Sequence, residues 1–285
     1  MHVLRVSMAG AAVLVLLGGL SGLAAAQAGT DMASPSAGCD KPLVAPGDYE
    51  GNNDVGDDAE RYWVVVPGSY GENGPVPLVL WLSSGGGFVD TNYAGWRPYL
   101  DDIDVLFAVA STETERSLDT DTMLALIDRL EEDFCVDLRR IHVMGESSSS
   151  GAVGRLACAA SERIASFLGG MGGFDAPGCV PERPVPLFAI TGDQDRWIVE
   201  PSVERWAEAN GCDADPLVED LGSGVSRSTY QGCTGDVVFL DIEGGSHAFI
   251  FHECIGPAAP LCQAYAEVDQ LQDALEFIDQ HPLPE

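Results

Sequence analysis

Seven short apolar runs, each five to seven residues long, constrain what this chain can fold into: Tyr62–Val66, Pro77–Leu82, Val105–Ser111, Arg140–Met144, Ser166–Met171, Val185–Thr191 and Asp236–Ile242. Runs this short, β-rich and almost continuously apolar mark strands buried on both faces. Between several of them lie helical patterns. In the stretch from Asp119 to Phe134, Met123, Ile127 and Leu130 fall on one face and Asp119 or Thr120 stands where a cap is needed. A small-residue helix follows Ser147, another covers Val203 to Asn210 with Gly211 as its stop, and a last one is expected from Tyr265 to Gln280. Strands alternating with helices predict an α/β fold, a mostly parallel central sheet with helices on both faces. Such sheets bind ligands at the carboxyl ends of their strands.

The ends and the composition fix the setting. Residues 1–28 read as an export signal: Arg5, an apolar run from Met8 to Leu23, then Ala26-Gln27-Ala28 as a small-residue cleavage site. The apolar run is shorter than the roughly 20 residues that span a bilayer. Residues 29–38 are expected to be a disordered linker, and 39–285 a single domain with no repeat or low-complexity tract. All eight cysteines lie beyond the signal, which in an oxidising compartment predicts disulfides; no C-x-x-C pair suggests a metal site. Short loops favour pairing Cys212 with Cys233 and Cys254 with Cys262, and leave Cys39, Cys135, Cys158 and Cys179 open. Without Arg5, 13 basic residues face 45 acidic ones, a net charge near −32, with Lys41 the single lysine. Such a surface repels nucleic acid and anionic lipid, so a neutral or apolar small molecule or polymer is the expected partner of a secreted, monomeric protein.

Chemistry concentrates at strand ends. The run Arg140–Met144 leads into Gly145-Glu146-Ser147-Ser148-Ser149-Ser150 and then a helix of small residues. A strand-to-helix turn that projects a serine needs small residues two before and two after it, because the two backbones nearly touch there. Gly145 and Ser149 fill those places for Ser147, whereas Ser149 as nucleophile would start the turn two residues deeper. Replacing Ser149 by alanine is therefore expected to leave most activity. A serine nucleophile needs an imidazole base, and the base a carboxylate that fixes its tautomer. Val185–Thr191 ends in Gly192-Asp193-Gln194-Asp195, and Asp236–Ile242 runs on to Gly244-Gly245-Ser246-His247. Among the other histidines, His2 leaves with the signal, His142 lies inside a strand, His252 enters a cysteine loop and His281 sits at the tail. His247 is the base by position and by elimination.

At these residues the chain resembles secreted polyhydroxybutyrate depolymerases and feruloyl esterases, serine esterases of the α/β-hydrolase fold. The stretch Gly145 to Arg155-Leu156-Ala157-Cys158 is similar to their G-x-S-x-G-G helix ending in RLAC, which places their nucleophile on Ser147. RPVPLFAITGDQD resembles their RPVP strand with HGTxD and places their aspartate on Asp195; GGSHAF resembles GGGHTW and places their histidine on His247. The segment from WAEANGC to YQGC is similar to one in which two cysteines pair, in keeping with Cys212 and Cys233. The resemblance implies ester hydrolysis without metal or cofactor, on a feruloyl-type ester or a hydroxyalkanoate polyester.

The departures are specific. Leu82-Ser83-Ser84-Gly85 stands where the family has LHG and a small residue, Ser149 and Ser150 replace a Gly-Gly pair, and Thr191 replaces a histidine. An oxyanion hole is built of backbone N–H groups, here expected from Ser148 and Gly85, so side-chain changes need not abolish it. Phe88, Trp197 and Phe249 flank the expected site and suit an aromatic or hydrophobic acyl group. The alternatives are a weakened or inactive α/β-hydrolase acting as a binding protein, and a lipase or peptidase on the same scaffold.

Overall fold

A computed structural model describes residues 33–55, 58–83, 89–101, 103–110, 119–195, 199–245 and 270–284. Its centre is a ten-stranded sheet made of β1 (Gly47–Val55), β2 (Asp58–Val66), β3 (Val76–Leu82), β4 (Leu106–Ala110), β5 (Val136–Glu146), β6 (Ser166–Gly170), β7 (Leu187–Gly192), β8 (Leu217–Gly222), β9 (Val225–Thr229) and β10 (Val237–Ile242). The strand order is β1-β2-β4-β3-β5-β6-β7-β10-β9-β8. The six strands from β4 to β10 in that order are parallel, and hairpins flank them on both sides. All seven apolar runs of the sequence are strands, and six of them make the parallel centre.

Helices cover both faces because successive strand residues point to opposite sides. On one face Ile141 and Val143 of β5 join Met123, Ile127 and Leu130 of α2 (Thr120–Asp133), Val153 and Leu156 of α3 (Ser150–Ala159), and Val203 and Trp206 of α4 (Glu200–Ala209). On the other, Met144 joins Val89 and Trp96 of α1 (Val89–Trp96) and Phe277 and Ile278 of α5 (Gln270–Gln280). Asp119 takes the N-cap position of α2 without a side-chain cap bond. The fold is the α/β-hydrolase architecture expected from the sequence.

Part of the segment expected as a disordered linker is held. Pro35 bridges Asp137, the Ser36 hydroxyl donates to the Phe134 carbonyl at 2.8 Å, and Ala37–Asp40 forms a 3₁₀ turn. The anchor is the disulfide Cys39–Cys135, which ties this segment to the start of β5. Cys158 pairs with Cys179, and Cys212 with Cys233 as expected. Cys254 and Cys262 lie outside the described residues. The hairpin β8–β9 and strand β1 had no apolar run to announce them: Leu217–Asp220 is exposed throughout.

Most cations among the described residues are engaged. Arg61, Arg97, Arg129 and Arg163 each sit within ion-pair distance of a carboxylate, Arg61, Arg97 and Arg163 of two. The acidic excess, −31 over the whole chain, therefore has little cationic surface left to offset it. Added salt screens that repulsion, the Debye length falling to ~3 Å at 1 M. Between low salt and ~1 M NaCl at pH 7 the unfolding temperature should rise on the order of 5 °C, equivalent to about 2 kcal/mol for a domain of this size. Differential scanning fluorimetry after chelator treatment measures it, and an unchanged temperature would remove repulsion as a significant cost.

Candidate active site

The parallel strands end together on one edge. Leu82 of β3 pairs with Gly145 of β5, Gly145 with Gly169 of β6, and Gly192 of β7 with Ile242 of β10. β5 runs to Glu146, and Ser147 opens a 3₁₀ turn, Ser147–Ser149, that continues into α3. This abrupt change of direction depends on Gly145: a Cβ there would lie 2.7 Å from Ser149 Oγ and 2.8 Å from Val153 Cγ2.

The backbone singles out one serine. Ser147 has φ 53°, and only Met171 and Ser223 share a positive φ among the described non-glycine residues. For a residue with a Cβ this left-handed conformation costs roughly 1–2 kcal/mol. A sharp, strained turn between a strand and a helix is the geometry that presents a nucleophilic serine at the top of such a sheet. Its neighbours have other tasks. The buried Ser149 hydroxyl accepts the Glu146 N–H at 3.0 Å and reaches the carbonyls of Leu82 and Glu146 at 3.0 and 2.8 Å. The buried Ser150 hydroxyl donates to the Gly170 carbonyl at 2.8 Å. Ser148 is exposed on the turn, directly after Ser147 and just ahead of α3.

Two of the later loops meet each other at the carboxyl ends of β7 and β10. After β7 the Gln194 N–H donates to the Gly245 carbonyl at 2.7 Å, and the Asp193 N–H to the Ile242 carbonyl at 3.1 Å. Asp193 is spent on this junction: its carboxylate accepts the Gly244 N–H at 2.7 Å and the Gln194 side chain at 3.1 Å. Asp195 is half-buried, its own N–H closing a turn onto the Gly192 carbonyl at 2.9 Å. The acidic turn after β7 and the loop after β10 thus leave the sheet stitched together, two residues before His247. His247 itself lies outside the described residues, as do Gly85, Phe88, Trp197 and Phe249. Of the expected site, the structure places Ser147, Ser148 and Asp195 at the carboxyl edge.

Two roles escaped the sequence reading. Asp193 as the brace of the junction had no signal, since two aspartates in one turn look alike. Ser149 carried one, a serine where the resembling family has glycine.

No family model matches the chain. Among curated proteins it is 27% identical over 265 residues to feruloyl esterase D of Neurospora crassa, covering 82% of this chain and 87% of that one. It is 25% identical over 239 residues to a probable feruloyl esterase C of Aspergillus niger, covering 74% and 83%. Among solved structures it matches the acetyl xylan esterase of Aspergillus awamori with a TM-score of 0.58 at 12% identity, over 81% of this chain and 99% of that one. A thermostable esterase matches with a TM-score of 0.56 at 17% identity, over 82% and 62%. Taken with the sheet order, these likenesses show the α/β-hydrolase fold in a chain similar in sequence to feruloyl esterases.

Proposed function

We propose that the chain is an exported serine esterase that cleaves feruloyl-type esters through an acyl-enzyme on Ser147. The observation that carries this reading is the left-handed Ser147, φ 53°, at the carboxyl end of β5. His247 takes the Ser147 proton as the oxygen attacks the ester carbonyl, and Asp195 holds the imidazole in its tautomer. The tetrahedral oxyanion rests on the N–H groups of Ser148 and Gly85. Its collapse breaks the ester bond, and the alcohol leaves with the proton from His247. Water then attacks the acyl-enzyme by the same route, releasing the acid and restoring Ser147.

The names of the curated relatives favour a feruloyl group over a hydroxyalkanoate polyester, and Phe88, Trp197 and Phe249 suit an aromatic acid. Disulfides at Cys39–Cys135, Cys158–Cys179 and Cys212–Cys233 suit an oxidising compartment outside the cytosol, in keeping with residues 1–28 as a removable signal. Among the described residues no helix is long and apolar enough to cross a membrane. Purified protein should release ferulate from methyl ferulate and leave a poly(3-hydroxybutyrate) suspension turbid. Clearing of the suspension without ferulate release would move the substrate to the polyester.

A further inference from the structure

Ser149 stands where the chain departs from the glycine of the resembling family, and its hydroxyl joins two strands. It accepts the N–H of Glu146, the last residue of β5, at 3.0 Å, and shares its one proton between the carbonyls of Glu146 at 2.8 Å and of Leu82, the last residue of β3, at 3.0 Å. Leu82 is in register with Gly145. The hydroxyl therefore bridges the two strands where their ladder ends, a link that glycine has no group to make. The next residue of the β3 exit, Ser83, is buried and donates its N–H to the Ala110 carbonyl of β4 at 3.1 Å. The chain thus leaves β3 fixed from both sides, by β4 through Ser83 and by the serine turn through Ser149. Ser150 makes the instructive contrast. Its hydroxyl reaches the carbonyls of Gly170 of β6 at 2.8 Å and Gly145 of β5 at 3.4 Å, and its hydrogen bonds do not extend to β3.

We propose that Ser149 is a positioning residue of the esterase reaction, its hydroxyl tying the turn that carries Ser147 to the ends of β5 and β3 and so holding the Ser147 oxygen in its attacking position. This rests on the reading of Ser147 as nucleophile. The strained Ser147, φ 53°, keeps its aim only if the turn stays fixed to the edge of the sheet. An error of about 1 Å in that aim is enough to cost up to ~100-fold in rate. The bridge also gives a reason for the Ser-for-Gly change, and it revises the expectation that Ser149 is dispensable.

The test compares Ser149→Ala, Ser150→Ala and Ser147→Ala with the unaltered protein on p-nitrophenyl acetate and methyl ferulate. Ser149→Ala should lower kcat on the order of tenfold, less than the hundredfold of a donor lost outright, with KM within about twofold. Its affinity for an aryl trifluoromethyl ketone, which forms a tetrahedral oxyanion on the serine, should weaken in parallel, while affinity for ferulate is unchanged. Ser150→Ala should keep both kcat and ketone affinity. Ser149→Ala with full kcat, or with equal losses in Ser150→Ala, overturns the positioning role while leaving the serine mechanism intact. Activity surviving in Ser147→Ala overturns the mechanism itself, and the positioning role with it. If Ser149→Ala does not fold, Ser149→Cys decides, since its thiol fills the space but donates weakly: a kcat loss on the order of tenfold supports the bridge and an unaltered kcat refutes it.

Discussion

Replacing Ser147 by alanine should lower ester turnover at least a thousandfold, because removing the nucleophile of a triad removes nearly all that the triad contributes. The variant should remain folded. Ser147 holds a left-handed backbone, φ 53°, and alanine inherits that strain, so the unfolding temperature should change little. Glycine does not. Ser147→Gly relieves a penalty of roughly 1–2 kcal/mol, offset in part by the ~0.5–1 kcal/mol that glycine loses through the freedom of the unfolded chain. The glycine variant should thus be inactive and at least as stable as the alanine variant. That pattern, lost activity without lost stability, separates a strained catalytic turn from a turn that merely folds. Kinetics with p-nitrophenyl acetate and thermal melts of the pair measure it; more than a tenth of the activity remaining in Ser147→Ala would contradict the assignment.

Acid should unfold the protein earlier than its acidic surface implies, and His142 is the reason. Its imidazole is buried in the middle of β5, with Nδ1 2.7 Å from the Ser166 hydroxyl, and burial pushes its pKa down to about 3, helped by the charges of Arg140 and His281. In the unfolded chain the same group takes a proton near the ordinary 6.5. Between those values the unfolded state binds the extra proton, so the stabilisation is whole above pH 6.5 and is lost as pH falls toward 3. The slope is about 1.4 kcal/mol per pH unit, about 2 kcal/mol by pH 5. Protonation of surface carboxylates acts in the opposite direction, relieving repulsion, but their ordinary range lies near 4. From pH 6.5 to 5 the histidine therefore dominates. His142→Gln, which cannot titrate, should flatten the dependence of unfolding free energy on pH over that window, whatever its stability at pH 7. An unaltered slope would assign the acid sensitivity elsewhere.

The parallel centre was legible because its strands are buried on both faces and must be apolar almost without interruption: Pro77–Leu82 and Val185–Thr191 need no partner to be read as strands. Strand β8 was not, because an edge strand with Leu217–Asp220 exposed carries no such constraint. The start of α4 was placed late, since Glu200 and Pro201 belong to its first turn, where charge and proline reveal little periodicity. At the site, spacing selected Ser147 over Ser149, and it is Ser147 that has the left-handed backbone, φ 53°. Spacing did not reveal what Ser149 does, because its bond to Leu82 joins residues 67 positions apart. The same distance in sequence hid the pairings Cys39–Cys135, 96 residues apart, and the brace between Asp193 and Gly244.

The most direct test of Ser147 as the nucleophile is labelling of the intact protein with a fluorophosphonate, followed by peptide mass spectrometry. One phosphonyl group per molecule should appear, on Ser147, and labelling should fail in Ser147→Ala. A protein that stays unlabelled, or one labelled at Ser148, Ser149 or Ser150 instead, would contradict the account.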